Sequence, residues 1–278
     1  MGGIEHRKEK GMMDGQTELI KYPRTPHLEG SRLQPGDEDL SQVRFSEIAG
    51  RHLAVEEKCD GANSAISFDA EGNIFFQSRG HYLTGGYRER HFNLLKQWGN
   101  VHRDCFFRVL GSRYIMYGEW MYAKHSVYYD KLPHYFLEFD ILDRENGCFL
   151  DTPSRRKLTE QMPVVSVPVL YQGTFSSKEK LLGLLGESHY ISFRHMERMR
   201  EYCEQNGLDA ERQCMETDAS VQMEGLYIKV EEGGCVTGRF KYVRPSFVQC
   251  MIDSGTHWLD RPIIPNLLAV PTEQIFLE

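Results

Sequence analysis

The stretch "EEKCDGANSAISFD", residues 56–69, joins two β-like runs and places Lys58, Asp60 and Gly61 within four positions. A lysine that follows the inward-pointing apolar residues of a strand loses hydration, which costs free energy unless the amine has a use. Half-burial and nearby cations would lower the pKa of Lys58, and a neutral amine is a nucleophile. Asp60, two residues on, lies on the same side of an extended chain. The stretch therefore indicates either a surface hairpin with an ion pair or a lysine that does chemistry.

The composition is typical of a soluble globular protein. Of the 278 residues, 40% are hydrophobic and 26% are charged, which is enough for a sizeable core. No apolar run reaches the length of a membrane helix, and the polar start lacks the apolar segment of a signal peptide. The seven cysteines include no C-x-x-C pair. This favours reduced thiols and a cytoplasmic location over a disulfide framework or a zinc knuckle, and we expect no membrane partner.

The charge is unevenly distributed along the chain. The net charge of −7 argues mildly against a non-specific coat on nucleic acid. Residues 79–103, however, hold five Lys/Arg and three His against one acid, whereas residues 187–224 hold nine acids and four Arg. A basic face on an acidic body can guide a polyanion, although two solvated faces of a globule would give the same pattern.

The order of the predicted elements indicates an α+β fold. Short β-like runs separated by turn signals cover residues 51–78, and aromatic alternating runs cover 113–122 and 134–143. Helical patterns are inserted between the strands, for example at 87–98 and 193–207. This is not a regular βαβ alternation, so we expect antiparallel sheets flanked by helices.

Six short motifs follow one another in an order that a chance match to K-x-D-G would not explain. They are "KCDGAN" (58–63), "SRG" (78–80), "YGEWM" (117–121), "LEFDIL" (137–142), "EGLYIK" (224–229) and "RFKYVR" (239–244). In this order they resemble the covalent nucleotidyltransferase superfamily of ATP-dependent DNA ligases, RNA ligases and mRNA capping enzymes. Asn63, at the end of K-x-D-G-x-N, resembles the nick-sealing RNA ligase branch.

The resemblance implies a domain organisation and an activity. We expect a flexible start at residues 1–20, a nucleotidyltransferase (adenylation) domain at 21–250 and a short C-terminal extension at 251–278, without an appended OB domain. The implied activity is ATP-dependent RNA ligation through a covalent lysyl-AMP and an adenylylated 5′-phosphate, joining 3′-OH and 5′-phosphate ends. Two alternatives stay open, namely a minimal ATP-dependent DNA ligase and a non-catalytic nucleotide- or RNA-binding subunit of a repair assembly.

The resemblance also implies roles for individual residues. Lys58 would attack the α-phosphorus of ATP and carry AMP. Gly61 would let the chain turn and let a nucleotide approach the backbone. Phe139 would stack on adenine, although a strand aromatic taken by itself is more often part of a core. The implied catalytic residues are Lys58, Asp60, Glu119, Glu224, Lys229 and Lys241. The implied ATP-binding residues are Glu57, Lys58, Asn63, Arg79, Glu119, Phe139, Lys229 and Lys241.

Charge explains the remaining roles. Asp60 and Glu224 would hold Mg²⁺ or Mn²⁺ through waters, since Mg²⁺ keeps several of its waters. Lys229 and Lys241 would neutralise phosphates and lower the pKa of Lys58. Arg239 replaces the first lysine of the K-x-K that many relatives carry, which changes the geometry of that charge.

Cations outside the nucleotide motifs are candidates for holding RNA. The candidate RNA-binding residues are Arg79, Arg88, Arg90, Arg103, Arg239 and Arg244, and further candidate phosphate contacts are Lys21, Arg24, His27 and Arg32. Arg79 could instead be a strand-end arginine in an ion pair. Ligation requires 5′-phosphate and 3′-OH ends, so an end-healing kinase/phosphatase is a possible partner.

Overall fold

The computed structural model describes residues 19–33, 42–247 and 262–277. Residues 1–18 of the expected flexible start, and residues 251–261 of the expected C-terminal extension, lie outside these ranges. None of the helices in the described ranges combines the length and apolarity needed to cross a bilayer.

Twelve strands and six α-helices are present in the described ranges. The strands are β1 (His27–Leu28), β2 (Gln42–Val43), β3 (Leu53–Lys58), β4 (Ala62–Phe68), β5 (Ile74–Ser78), β6 (Tyr114–Trp120), β7 (Phe136–Asp143), β8 (Cys148–Leu150), β9 (Val165–Ser166), β10 (Val169–Gly173), β11 (Gly225–Glu232) and β12 (Cys235–Val243). The helices are α1 (Asn93–Val101), α2 (Arg103–Leu110), α3 (Thr152–Thr159), α4 (Lys178–Leu182), α5 (His195–Gln205) and α6 (Ala210–Met215). Short 3₁₀ helices cover Phe45–Glu47, Tyr87–Phe92 and Thr272–Phe276. The predicted helix at 87–98 therefore begins as a 3₁₀ turn and continues as α1.

The α+β prediction is confirmed, with one difference in how the strands associate. The described strands form one continuous sheet in the order β10-β3-β11-β12-β8-β7-β6-β4-β5, and not several separate sheets. The short strand β8 pairs with both β12 and β7 and so joins two halves. We call β10-β3-β11-β12 the first half and β7-β6-β4-β5 the second half. Most pairs are antiparallel, but β1 runs parallel to β12 and β2, and β9 runs parallel to β7.

The chain crosses from one half to the other at the K-x-D-G motif. Strands β3 and β4 lie far apart in the strand order, yet only Cys59, Asp60 and Gly61 separate them in the chain. The two halves must therefore come close together at this corner. Lys58, the last residue of β3, stands at the line where they meet.

Two glycines of the motifs allow close packing of the backbone. A Cβ on Gly225 would lie 1.9 Å from the Tyr242 carbonyl oxygen, so the neighbouring strand leaves no space for a side chain. A Cβ on Gly61 would lie 2.8 Å from the Trp120 carbonyl oxygen. Gly61 is not among the glycines with positive φ. The chain nevertheless bends at Gly61, as predicted, and the lack of a side chain lets the corner pack against β6.

Alternation along the strands separates an apolar face from a charged one. Leu226, Ile228 and Val230 of β11 pack into the core of the first half. The intervening Tyr227 and Lys229 lie on the opposite face, because successive side chains of a strand point to opposite sides. That opposite face lies between the halves and carries the functional site.

A cluster of charges is buried between the two halves. It consists of three carboxylates and three cations, namely Glu56, Glu138, Asp140, Arg155, Lys229 and Arg239. The six residues come from β3, β7, α3, β11 and β12. Opposite charges in equal number reduce the cost of removing each from water.

Arg155 occupies one end of this cluster. Its guanidinium, which has no exposed surface, lies 2.9 Å from Glu138 Oε2 and also contacts Glu56. Ser166 Oγ donates to the same Glu138 oxygen at 2.6 Å. Burial lowers the pKa of Arg155, but the charges of Glu138 and Glu56 outweigh it, so its net pKa is raised and the group stays charged. Helix α3 is thereby fixed to β3 and β7.

Lys229 occupies the centre of the cluster. Its Nζ atom lies 2.9 Å from Glu56 Oε2 and 3.0 Å from Asp140 Oδ1. Arg239 Nε lies 3.0 Å from the other Asp140 oxygen. Burial raises the pKa of Asp140, but Lys229 and Arg239 outweigh it, and the net pKa is lowered. The cluster therefore joins strands of both halves through contacts between oppositely charged side chains.

Replacing Arg155 by methionine should destabilise the fold strongly. Glu138 would lose its cation and Glu56 would keep only Lys229, and removing one partner of a buried ion pair costs about 3–5 kcal/mol. Urea unfolding at neutral pH measures this loss. Arg194→Met is the matched control, since the Arg194–Glu197 pair lies on the surface and should leave the unfolding midpoint nearly unchanged. A loss below about 1 kcal/mol for Arg155→Met would contradict a structural role for the cluster.

Candidate active site

A cavity of about 330 Å³ opens at the corner between β3 and β4. Its walls come from both halves of the sheet and from the segment that precedes β1. Eight residues selected from the sequence line it, namely Glu57, Lys58, Asp60, Asn63, Arg79, Glu119, Phe139 and Lys241. Residues that are separated by up to 184 positions in the chain, from 57 to 241, thus meet around one space. The sequence prediction of a single site is consistent with this arrangement.

Lys58 is held as an ammonium group. Its Nζ atom donates to Glu224 Oε2 at 2.7 Å, and 19% of its side chain is exposed. Burial lowers the pKa of Lys58, but the charge and hydrogen bond of Glu224, with Glu119 and Asp60 nearby, outweigh burial and raise the net pKa. The prediction of a lowered pKa is therefore wrong for the ligand-free protein, because the carboxylates lie closer to Lys58 than the cations do.

Asp60 is fixed by the loop between β6 and β7. Its Oδ2 atom accepts hydrogen bonds from the Ser126 and Val127 amides at 2.7 and 3.1 Å. Its own amide donates to the Tyr129 hydroxyl at 2.8 Å, and His125 Nδ1 lies 4.0 Å from Oδ1. One carboxylate oxygen is thus used for positioning, and the other lies on the side of His125.

Glu119 lies against the corner from β6. Its Oε1 atom accepts a hydrogen bond from the Gly61 amide at 3.1 Å. Burial raises the pKa of Glu119 to about 8, with Glu224 and Asp60 adding to the rise and Lys58 opposing it. At neutral pH this carboxyl group is therefore largely protonated and can donate a hydrogen bond to a ligand.

Glu57 uses its carboxylate for structure. The Ser188 hydroxyl donates to Oε1 at 2.5 Å, and the His189 amide and Nδ1 lie 3.1 and 2.6 Å from Oε2. The side chain predicted to bind nucleotide is therefore engaged with the 188–189 loop. What remains for a ligand is the Glu57 main chain, because this residue still lines the cavity.

Lys229 does not face the cavity. Its side chain is 1% exposed, and its Nζ atom contacts Glu56, Asp140 and the Phe139 carbonyl oxygen. The prediction that Lys229 contacts phosphates and lowers the pKa of Lys58 is corrected by this placement. Two buried carboxylates neutralise its charge, so Lys229 acts as a counter-ion beneath the site.

Three aromatic rings surround the apolar part of the cavity. Phe139 lies with its ring centroid 6.2 Å from that of Tyr227 and 5.1 Å from that of Tyr22. The Tyr22 hydroxyl donates to Asp140 Oδ2 at 2.5 Å and lies 2.6 Å from the Tyr227 hydroxyl. Phe139 was selected from the sequence, and both tyrosines were missed. Tyr227 lies within the quoted "EGLYIK", whereas no local motif marks Tyr22.

A second cavity of about 950 Å³ adjoins the first. Asn63 and Arg79 line both cavities and so mark their boundary. The Asn63 Oδ1 atom is buried and has no hydrogen-bond partner within the described part of the chain. Arg79 is exposed and forms no ion pair with any residue in 19–33, 42–247 or 262–277. Arg88 also lines the second cavity, whose wall includes Gly80, Gly85 and Gly86.

Two of the candidate RNA-binding arginines have structural roles instead. Arg244 is 7% exposed and donates to Asp218, Ser220 and the Met223 carbonyl oxygen. Arg239 belongs to the buried cluster, with its guanidinium carbon 3.7 Å from the Phe149 ring centroid. These two predictions are corrected, since burial withholds both charges from a polyanion.

Arg103 and Arg90 lie on the surface but differ in their contacts. Arg103 Nη2 donates to the Gly72 carbonyl oxygen at 2.5 Å, and Nη1 lies 3.3 Å from Asp104. It lines neither of these two cavities, so its selection for RNA binding stays a prediction that no contact at the cavities supports. The Arg90 guanidinium lies 4.1 Å from the Tyr87 ring centroid, next to the second cavity.

The N-terminal cations also divide into two groups. Lys21 and Arg24 are exposed. His27 is fully buried with Nδ1 2.7 Å from the Ser31 hydroxyl, and Arg32 contacts the Phe247 and Pro245 carbonyl oxygens. The predicted phosphate contact by His27 is thus excluded by burial.

Asp60 and Glu224, the two carboxylates predicted to hold a metal ion through waters, differ in their exposure. Asp60 lines the cavity, whereas Glu224 is 1% exposed and lies behind Lys58. No group of three or more His, Cys, Asp or Glu side chains in the described ranges could chelate an ion. Carboxylate oxygens suit Mg²⁺ or Mn²⁺, and contact through waters suits a site with few direct ligands.

The family of the chain follows from a match to residues 51–243. This segment, which is more than half of the 278 residues, matches the family model described as RNA ligase. The chain therefore belongs to the RNA ligase family, which confirms the resemblance seen in the six motifs. A search of curated proteins finds no match.

Solved structures of RNA ligases show a weaker similarity. A Naegleria gruberi RNA ligase mutant with ATP and Mn has a TM-score of 0.45 and 16% identity, covering 79% of this chain and 59% of that chain. An archaeal ATP-dependent RNA ligase has a TM-score of 0.46 and 16% identity, covering 81% of this chain and 48% of that one. This protein thus spans about half to three fifths of their lengths. Because both TM-scores are below 0.5, the family assignment depends on the match to residues 51–243 and not on these structures.

The raised pKa of Glu119 predicts a pH dependence of stability. Between its unfolded pKa of about 4.5 and its folded pKa of about 8, the folded state binds more protons than the unfolded state. Stability should therefore fall as pH rises through this window, by up to about 1.4 kcal/mol per pH unit from this group. Glu119→Gln should remove that slope. Urea unfolding of both proteins at pH 5, 6, 7 and 8 measures it, and parallel pH profiles would sink the assignment.

Proposed function

We propose that this protein is an ATP-dependent RNA ligase that acts through a covalent lysyl-AMP. The observation that carries the proposal is the position of Lys58 at the corner between the halves, in one cavity with Asp60, Asn63, Glu119 and Lys241. The charge of this set suits a nucleoside triphosphate, since a nucleophile, cations and carboxylates line one space. The aromatic rings of Phe139 and Tyr227 offer flat surfaces for a base.

The reaction would proceed in three phosphoryl transfers. Lys58 Nζ forms a bond to the α-phosphorus of ATP, and pyrophosphate leaves. An oxygen of the RNA 5′-phosphate then attacks the AMP phosphorus and breaks the N–P bond, which frees Lys58. Finally, the RNA 3′-hydroxyl attacks the 5′-phosphorus, forms the phosphodiester and releases AMP. Positioning and charge neutralisation provide most of the catalysis in such transfers.

Lys58 must lose a proton before its first attack, because an ammonium has no lone pair. Glu224 Oε2, at 2.7 Å, is the acceptor in contact with it. Lys241 and Arg79 supply positive charge at the cavity wall. Glu119, largely protonated at neutral pH, would donate a hydrogen bond to a sugar hydroxyl or a phosphate oxygen.

Mg²⁺ or Mn²⁺ fits this site through its carboxylates. Asp60 would hold the ion through waters, with Glu224 contributing from behind Lys58. When bound, the ion would neutralise charge on the phosphates. The two amide donors to Asp60 Oδ2 hold this carboxylate in one orientation without the ion.

RNA is the proposed substrate for two reasons. Asn63 ends the K-x-D-G-x-N pattern, and its unpartnered Oδ1 atom lies at the boundary with the second cavity. The glycine-rich wall and Arg88 of that cavity continue from Arg79, so a strand could extend from the reacting ends into this space. We further propose that the protein acts in the cytoplasm on ends prepared by a kinase/phosphatase, because joining requires a 5′-phosphate and a 3′-hydroxyl.

Incubation with ATP labelled at the α-phosphate should label the protein covalently. The label should need Mg²⁺ or Mn²⁺ and no nucleic acid. It should vanish in Lys58→Ala, which lacks the nucleophile, and persist in Lys157→Ala, an exposed lysine on α3. Denaturing gels read the result. An unlabelled wild-type protein would overturn the enzymatic proposal, and nicked duplexes of RNA, DNA and mixed strands then separate an RNA ligase from a DNA ligase.

Arg79→Ala should slow the joining of a nicked RNA duplex by about 10- to 100-fold, because losing a cation beside reacting phosphates removes roughly 1.4–2.7 kcal/mol of transition-state stabilisation. Arg103→Ala should change the rate by about twofold or less, because its contacts are on the surface away from both cavities. Single-turnover joining with pre-adenylylated RNA measures both. Equal effects from the two variants would show that general charge, and not position, determines RNA binding.

A further inference from the structure

The loop between β6 and β7, residues 121–135, holds Asp60 from three atoms. The Ser126 and Val127 amides donate to its carboxylate at 2.7 and 3.1 Å. The Tyr129 hydroxyl accepts a hydrogen bond from the Asp60 amide at 2.8 Å. The position of Asp60 therefore depends on a loop that is irregular and needs support of its own.

That support comes from the C-terminal segment, residues 262–277. Asn266 has no exposed surface. Its Oδ1 atom accepts from the Tyr129 amide at 2.9 Å, and its Nδ2 atom donates to the Met121 carbonyl oxygen at 2.6 Å. One planar side chain thus joins the start of the loop to its middle, eight residues along, through an acceptor and a donor that cannot exchange roles.

The main chain of the segment adds further hydrogen bonds to the loop, at Asn266 and at Leu267. The Asn266 amide donates to the Tyr122 carbonyl oxygen at 2.8 Å, and the Leu267 amide donates to the Tyr129 carbonyl oxygen at 2.8 Å. The Tyr135 hydroxyl donates to the Asn266 carbonyl oxygen at 2.8 Å. Asn266 therefore satisfies polar groups at three points of the loop, in a place that water does not reach.

We propose that Asn266 is a positioning residue for nucleotidyl transfer, acting through Tyr129 and the loop amides on Asp60; this rests on the proposed function. Asn266 lies outside residues 51–243, the part that matches the family. The C-terminal segment thereby contributes to the geometry of the active site as well as to the core. Misplacement of a group by about 1 Å far from the reacting atoms can cost about 100-fold in rate, so the effect is measurable.

A double-mutant cycle tests this path. Asn266→Ala removes the side-chain hydrogen bonds to Tyr129 and Met121. Tyr129→Phe removes the hydroxyl that accepts from the Asp60 amide and keeps the ring. Each should lower the single-turnover rate of lysyl-AMP formation by about tenfold, with ATP affinity little changed. If Asn266 acts through Tyr129, the double variant should be about as slow as Asn266→Ala alone. Multiplied effects, about 100-fold in the double variant, would overturn the path.

Ile275→Ala is the matched control for loss of stability. Ile275 belongs to the same segment and is 5% exposed in the core, but its apolar side chain forms no hydrogen bonds. It should lower the melting temperature without changing the rate of lysyl-AMP formation, when rates are compared well below the lowest melting temperature. A rate loss in Ile275→Ala equal to that in Asn266→Ala would reduce Asn266 to a structural residue.

Hydrogen exchange separates this inference from the proposed function. Without ATP, the Ser126 and Val127 amides should exchange faster in Asn266→Ala than in the wild type or Ile275→Ala, because the loop that presents them is released. This readout does not require ligase activity. Wild-type protein that forms no lysyl-AMP would contradict the proposed function. Unchanged exchange in Asn266→Ala would contradict the positioning role of Asn266.

Discussion

A cluster of buried, oppositely charged side chains holds the two halves of the sheet against each other beneath the candidate active-site cavity. Lys229 connects Glu56 of the first half to Asp140 of the second, and both carboxylates also contact arginines. Among buried side chains these attractions are strong, and the loss of any partner leaves an uncompensated charge. Glu56 lies two residues before Lys58 on the same face of β3. The cluster thus also sets the position of the nucleophile.

The candidate active site is completed by segments from both sides of the region that matches the family. Tyr22 enters from before β1 and contacts Asp140 and Tyr227. Asn266 enters from after β12 and supports the loop that holds Asp60. The corner between β3 and β4 alone would leave Lys58 and Asp60 on an unsupported turn. Contacts from outside the motifs are what give the corner a defined geometry.

Predicted and observed positions agree for some residues and differ for others, and the difference has a physical cause. Lys58, Asp60, Asn63 and Glu119 were selected by motif and do line the cavity, because short spacing along a strand fixes which face a side chain occupies. Lys229 was selected in the same way and lies in a buried ion cluster, since alternation gives its face but not its neighbours. The charge of the neighbours also reversed the predicted direction of the Lys58 pKa shift.

The sequence by itself determined the α+β class, the order of the motifs, the family and the residues of the corner. These follow from local spacing and from turn and strand chemistry, which act between near neighbours in the chain. Only the tertiary structure decided which charged side chains are available to a ligand. The sequence predicted that Arg239 and Arg244 bind RNA. In the fold, Arg239 forms an ion pair with Asp140, and Arg244 forms one with Asp218. The reason is physical: a cation that is buried against an opposite charge from a distant part of the chain is withheld from a ligand, and its spacing in a motif does not reveal that.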